Sequence, residues 1–167
     1  MTDPTRKTRA EVIRRDGGMC VVTGRQVVDP DTLLPFVQYS LQHRRARGAG
    51  GSKDPVTNSV VNLVLVEGTG TTGAHGRIES QREWARRRGY AVPQWQDPGT
   101  VPVLHRVHGW SWIRPEGWVP LTRDELWLQA AERLADDASG LSKDDPAYTR
   151  MSMEITALYG LLAEEAA

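Results

Sequence analysis

The chain has a single cysteine, Cys20, among 167 residues. That excludes an intramolecular disulfide and a cysteine-built zinc site, and a reducing compartment fits. No apolar run approaches the roughly 20 residues that span a bilayer. The start of the chain, Met1-Thr2-Asp3-Pro4-Thr5-Arg6-Lys7, is polar with no apolar segment behind it. A soluble, unsecreted, cytoplasmic protein without a membrane partner is expected. Internal repeats and low-complexity tails are missing as well. The length predicts one modest domain plus an appendage, not two full domains. Net charge is missing too, because 21 Lys and Arg balance 21 Asp and Glu.

The charge balance conceals an asymmetry. Residues 1–90 hold 15 Lys and Arg against 9 Asp and Glu, a net of +6, whereas residues 91–167 hold 6 against 12, a net of −6. A basic functional half joined to an acidic tail is one reading, and solvated faces of unlike charge are the other.

Residues 5–15 predict a short Arg-rich helix stopped by Gly17 and Gly18, followed by a strand over Met19–Thr23. Val, Tyr and Phe residues between Phe36 and Leu41 favour a strand that delivers His43 at its end. Asn62 to Val66 is a short apolar run of the buried-strand type. A Gly- and Thr-rich loop from Gly68 to Gly73 leads into a helix predicted over 74–88 and ended by Gly89. Beyond it, Val103–His105, Trp110–Ile113 and the turns at His108-Gly109 and Pro115-Glu116-Gly117 predict a small antiparallel meander. Trp110, Trp112 and Trp118 read as packing residues before base-stacking ones, and His105 and His108 as surface or turn residues. Thr122 with Glu125 forms a capping box ahead of an apolar stripe of Leu126, Ala130, Ala131 and Leu134. A second helix from Pro146, with Met151, Ile155, Leu158, Tyr159 and Leu162 facing inward, completes a helical hairpin. The fold class is α+β.

Three of these positions carry chemistry. A histidine can accept a proton (His43), an asparagine can pin a loop (Asn62) and a histidine can hold a cation (His75). At about 100° per residue, His75, Glu79, Arg82 and Arg86 share one stripe of the 74–88 helix. The first two can chelate an ion at i,i+4, and the arginines continue towards a nucleic-acid backbone. A solvated face with a Glu79–Arg82 pair would give the same pattern.

The ordered set Arg15-Asp16-Gly17-Gly18-Met19-Cys20, His43-Arg44-Arg45 with Arg47-Gly48-Ala49-Gly50-Gly51-Ser52, Asn62-Leu63-Val64-Leu65, and Gly70-Thr71-Thr72-Gly73-Ala74-His75-Gly76 leading to Glu79-Ser80 resembles the small HNH endonucleases of phage genomes. The resemblance covers residues 11 to about 120. It implies a ββα-metal (HNH, His-Me finger) core over 1–92, with the meander over 93–121 and the hairpin over 122–167 as additions. It further implies that His43 is the general base, Asn62 the structural asparagine, and His75 a metal ligand. Glu79 and Gln42 would complete the metal site, and Arg44, Arg45, Arg47, Lys53, Arg82 and Arg86 would contact DNA. Gln42 stands where the family usually has His or Asp. With fewer nitrogen ligands Mg²⁺ or Mn²⁺ is expected over Ni²⁺ or Zn²⁺. Relatives commonly hold a zinc through two cysteine pairs, and the matching positions here are Cys20, Thr23, Glu67 and Ala74, so no structural zinc of that four-cysteine kind is expected.

The implied activity is hydrolysis of DNA by nicking or double-strand cutting, in the host cytoplasm for a phage-encoded protein. Two alternatives stand beside it. One is a weakened HNH scaffold that binds DNA without turnover. The other is a packaging accessory whose acidic hairpin docks a partner or a second copy.

Overall fold

A computed structural model describes residues 3–48 and 54–165, with side chains to residue 157. Lys53 lies outside the described residues, as do the side chains of Leu158, Tyr159 and Leu162 that are expected to face inward. The architecture is mixed α and β, and the chain divides into two units at Pro120 and Leu121.

The first helix, α1 (Arg6–Arg15), begins where the Thr5 hydroxyl accepts the Thr8 N–H, and it buries Val12 and Ile13. It ends at the glycine pair. Gly17 and Gly18 take φ of +59° and +69°, and the Gly18 N–H returns to the Ile13 carbonyl at 2.8 Å. That is the capping pattern in which glycine avoids a Cβ penalty, and a Cβ at Gly18 would meet the Val28 carbonyl oxygen at 2.0 Å.

The expected strand over Met19–Thr23 does not form. Gly24, at φ +74°, closes a turn in which its N–H bonds to the Cys20 carbonyl, so that only an isolated bridge, Met19 to Gln26, remains. Cys20, Val21, Val27 and Val28 are nevertheless fully buried, and the Val21 N–H docks on the Leu65 carbonyl. Apolar content here reports burial without a ladder.

Strands β1 (Tyr39–His43) and β2 (Leu63–Glu67) pair antiparallel with Leu41 opposite Leu65 and His43 opposite Leu63. Residues 63–66 are buried on both faces, which explains their unbroken apolar run. Helix α2 (Gly73–Ser80) follows, burying Ala74 and Ile78. The predicted helix to residue 88 is interrupted. Gln81 leaves the helical region at φ −117°, ψ 63°, and α3 (Arg82–Arg86) starts after it. Ser80 contributes to the break, since its hydroxyl donates to the Gly76 carbonyl at 2.8 Å, a back-bond that bends helices.

The meander consists of β3 (Val103–His105), β4 (Gly109–Arg114) and β5 (Gly117–Pro120) in that spatial order. Its Val103 and Ile113 join the same core cluster as Val12, Leu65 and Ile78. His105 departs from the expectation of a surface residue. It is only 1% exposed, packed edge-on to Trp118 with ring centroids 4.5 Å apart.

A buried ion pair ties these layers together. The Arg15 guanidinium holds Asp16 by two bonds of 2.7 and 3.0 Å and donates to the carbonyls of Val60 and Leu63. Asp16 in turn accepts from the Leu65 N–H and from the Trp118 indole. The end of α1, strand β2 and the meander therefore share one desolvated network. Losing either partner would strand a buried charge.

The second unit is a helical hairpin. Thr122 and Glu125 make the reciprocal capping box that starts α4 (Arg123–Ser139), and α5 (Pro146–Glu165) follows a short turn. Ala131 and Ala138 are buried on α4, Ala130 and Leu134 are half-buried, and Leu126 is exposed. Among the described residues no helix is long and apolar enough to cross a membrane.

Candidate functional site

The site grows from a match of two periods. Alternate residues of a strand lie about 6.7 Å apart on one face, and residues four apart on a helix about 6 Å apart. Ser40 and Gln42 of β1 thus stand opposite His75 and Glu79 of α2, rung for rung. The Ser40 hydroxyl meets His75 Nδ1 at 2.6 Å, and the Gln42 amide nitrogen donates to Glu79 Oε1 at 3.1 Å. Leu41, Gln42, His43, Ala46, Arg47, Gly48, His75 and Glu79 line an open cleft of about 460 Å³.

His43 is the last residue of β1 and is almost buried. Its Nε2 lies 3.0 Å from Asn58 Oδ1. An amide oxygen only accepts, so Nε2 carries the proton and Nδ1 keeps its lone pair. Burial holds the ring below the usual histidine range, with the Asn58 bond opposing and the Arg47 charge adding to it. The imidazole is therefore neutral near pH 7, as a proton acceptor must be.

Asn62 leads into β2 and faces the segment after His43. Fully buried, it pairs with the backbone of Arg45 in both directions, accepting the Arg45 N–H at 2.7 Å and donating to the Arg45 carbonyl at 3.1 Å. Its second amide hydrogen reaches the Thr57 carbonyl at 2.9 Å. One side chain thus clamps the segment after His43 to the 3-10 turn Pro55–Asn58 that supplies Asn58.

His75 and Glu79 lie one helical turn apart, with Nε2 and Oε1 separated by 4.0 Å. Two ligands of one ion, each about 2.0–2.2 Å from it, stand about 3–4 Å apart. Burial also lowers the His75 pKa, opposed by the Glu79 charge. The pair fits a hard divalent cation that completes its shell with water and substrate oxygens, as Mg²⁺ and Mn²⁺ do. A zinc site of three protein ligands fits less well. Among the described residues no three His, Cys, Asp or Glu side chains converge on one point. The Gln42 amide nitrogen donates both to Glu79 and to the His43 carbonyl. As placed, it orients Glu79.

The arginines divide. Arg44 is not at a DNA face: it is 1% exposed, and its guanidinium donates to the carbonyls of Gly89, Val61, Pro98 and Val101. Burial lowers its pKa to about 9. Arg45 pairs with Asp54, and Arg47, on the cleft wall, holds Asp3 at 2.9 Å. Arg82 reaches Glu79 at 3.3 Å, while Arg86 is exposed. At the positions matched to zinc cysteines, the Thr23 hydroxyl donates to Glu67 at 3.4 Å, Arg25 lies 4.0 Å from the same carboxylate, and Cys20 and Ala74 are buried.

Ser40 and Asn58 were missed by sequence reasoning. Ser40 was detectable in principle, since strand alternation puts it on the face of Gln42. Asn58 had no signal, because the 3-10 turn that aims it follows no side-chain period. Compared with models of protein families, with curated proteins and with solved structures, the chain matches none significantly.

Proposed function

We propose that the protein is a divalent-metal-dependent HNH-type endonuclease that hydrolyses DNA phosphodiester bonds. A single observation carries this reading: one cleft holds a neutral histidine with a free Nδ1 beside a histidine–carboxylate pair spaced for one cation. The succession β1, β2, α2, with His43 on the first strand, Asn62 leading into the second and His75 on the helix, supports a ββα-metal core.

His43 Nδ1 takes the proton of a water as its oxygen bonds to phosphorus, and the bond from phosphorus to the leaving deoxyribose oxygen breaks. Asn58 and Asn62 keep the ring and its segment in place while the proton is held. A bound Mg²⁺ or Mn²⁺ would stabilise the charge on the pentacoordinate phosphorus and the leaving oxygen, by several kcal/mol. His75 and Glu79 would hold that ion, and the Gln42 amide donates to the carboxylate. Arg47 on the cleft wall is placed to exchange Asp3 for a phosphate.

Supercoiled plasmid incubated with the protein and Mg²⁺, Mn²⁺ or Ni²⁺ should be nicked or linearised, and EDTA or His75→Ala should abolish cutting. Intact plasmid under all three ions would overturn the reading.

One observation favours a second reading, a DNA-binding scaffold without turnover: besides His43, only His75 and Glu79 among the cleft-lining residues are strong metal donors. It predicts DNA retention by the wild type with no divalent-ion binding sensitive to His75→Ala.

A further inference from the structure

We propose that Ser40 is a positioning residue that selects the tautomer of His75, so that Nε2 faces the cleft as a bare lone pair. The inference rests on reading the cleft as a cation site, and it concerns a residue outside the donor pair itself.

The argument is a count of hydrogens. A serine hydroxyl has one proton to give and two lone pairs. Ser40 Oγ lies 2.8 Å from the Gly68 carbonyl oxygen, which can only accept, so the serine proton is committed there. The same Oγ lies 2.6 Å from His75 Nδ1. With its proton spent, Oγ can only accept from the ring, which places the imidazole proton on Nδ1 and leaves Nε2 unprotonated.

The backbone fixes the acceptor that starts this relay. Gly68 sits at φ +84°, its N–H bonds to the Gln38 carbonyl at 2.8 Å, and a Cβ there would strike the Thr72 carbonyl oxygen at 2.2 Å. The Gly68 carbonyl is therefore held beside β1 by a turn that needs glycine. A solvated neutral histidine side chain prefers its proton on Nε2, the tautomer that cannot bind a cation through that atom. The Gly68–Ser40–His75 relay reverses the preference before any ion arrives. Partners of this kind on the far nitrogen of a ligand histidine typically change metal affinity by 10–100-fold.

The test has two arms on the full chain. The first is ¹⁵N NMR of the imidazoles in metal-free protein at about pH 8, where the ring is neutral, with His75 assigned by comparison with His75→Ala. His75 should carry its proton on Nδ1 in the wild type and shift towards Nε2 in Ser40→Ala. The second is calorimetric titration with MnCl₂. Ser40→Ala should bind Mn²⁺ about 10–100-fold more weakly, and Ser40→Thr, which keeps the hydroxyl on a β-compatible residue, should restore affinity to within a few-fold. Matched melting curves establish that each variant is folded.

A wild-type His75 protonated on Nε2 would overturn the proposal, as would a Ser40→Ala variant with unchanged tautomer and unchanged affinity. Failure of the wild type to bind Mn²⁺ in any His75-dependent way would instead overturn the cation-site reading, and the NMR arm would still decide the tautomer.

Discussion

Two neighbourhoods of this molecule hold all four of its histidines, and they are built to opposite ends. In the cleft between β1 and α2, His43 and His75 each spend one ring nitrogen on a fixed partner, Asn58 for His43 and Ser40 for His75, and His75 Nε2 stands 4.0 Å from Glu79 Oε1. In the meander, His105 spends Nδ1 on the N–H groups of Val107 and His108, and its Nε2 is buried without a partner. Burial lowers the pKa of His43, His75 and His105 alike, and that of His105 furthest, to about 4. The largest perturbation thus sits on the ring that no substrate can reach. Desolvation alone does not mark a reacting group, because structural burial shifts a pKa just as an active site does.

The comparison breaks most sharply by removing one histidine from each side. His43→Ala should lower metal-dependent plasmid cleavage by about 10²–10⁴-fold, the usual contribution of a positioned general base, with little change in melting temperature. His105→Phe keeps a flat ring against Trp118 and should leave cleavage per folded molecule within a few-fold. Equal losses of cleavage from both variants, measured on protein verified as folded, would mean that the two neighbourhoods do not differ in function.

Arg44 sharpens the contrast one residue further along. It stands between His43 and Arg45 in a run that reads as DNA-binding, yet its guanidinium closes the loop around residue 62 onto the loop around residue 98. Arg44→Met should destabilise the protein by about 3–5 kcal/mol in urea unfolding, because four carbonyls lose a charged donor. A variant as stable as the wild type would return Arg44 to the surface role.

Where sequence and structure agree, and where they part, follows the range of the forces involved. Strands β1 and β2, the meander and the hairpin were legible because alternation, apolar runs and the Thr122–Glu125 box are local patterns. The turn at Gly24 was not, because Cys20 to Thr23 looks apolar enough for a strand that finds no second partner. The break at Gln81 hid behind a 3.6-residue period that continues to Arg88. Arg44 was misread because its acceptors, at 61, 89, 98 and 101, are distant in sequence. In the candidate site, His43, His75 and Glu79, which line one cleft, could be named from the chain. Their partners Ser40 and Asn58 follow only once β1 is laid against α2 and the 3-10 turn is folded.

Acid separates the neighbourhoods by what it destroys. For a histidine whose folded pKa lies below its unfolded one, the unfolded chain binds more protons, so stability rises with pH and is lost on acidification. His105 should cost about 2–3 kcal/mol of stability between about pH 6.5 and 4, and His105→Phe should flatten that limb of a urea-unfolding series. Under the proposed mechanism His43 would act in the rate instead. Its lowered pKa keeps the base neutral below the usual histidine range, so kcat/KM should fall only at more acidic pH than an exposed histidine would give. A rate profile breaking at or above about 6.5 would contradict the burial of His43.

The smallest expected effect tests which arginines belong to the cleft neighbourhood. Arg47 on its wall and the exposed Arg86 beyond α2 are candidates for pairing with phosphates, whereas Arg44 is not. Removing one arginine–phosphate pair should reduce the slope of log affinity against log salt by about 1, with little dependence on DNA sequence. Arg47→Ala and Arg86→Ala should each show this in fluorescence anisotropy with labelled duplex. Asp3→Asn should do the reverse for overall affinity, because Arg47 then meets the phosphate without first releasing a carboxylate at 2.9 Å. If Asp3→Asn left affinity unchanged while Arg47→Ala lowered it, Arg47 would bind DNA without giving up its present partner. The cleft wall would then already be arranged for the backbone, and the Asp3 ion pair would be incidental to binding.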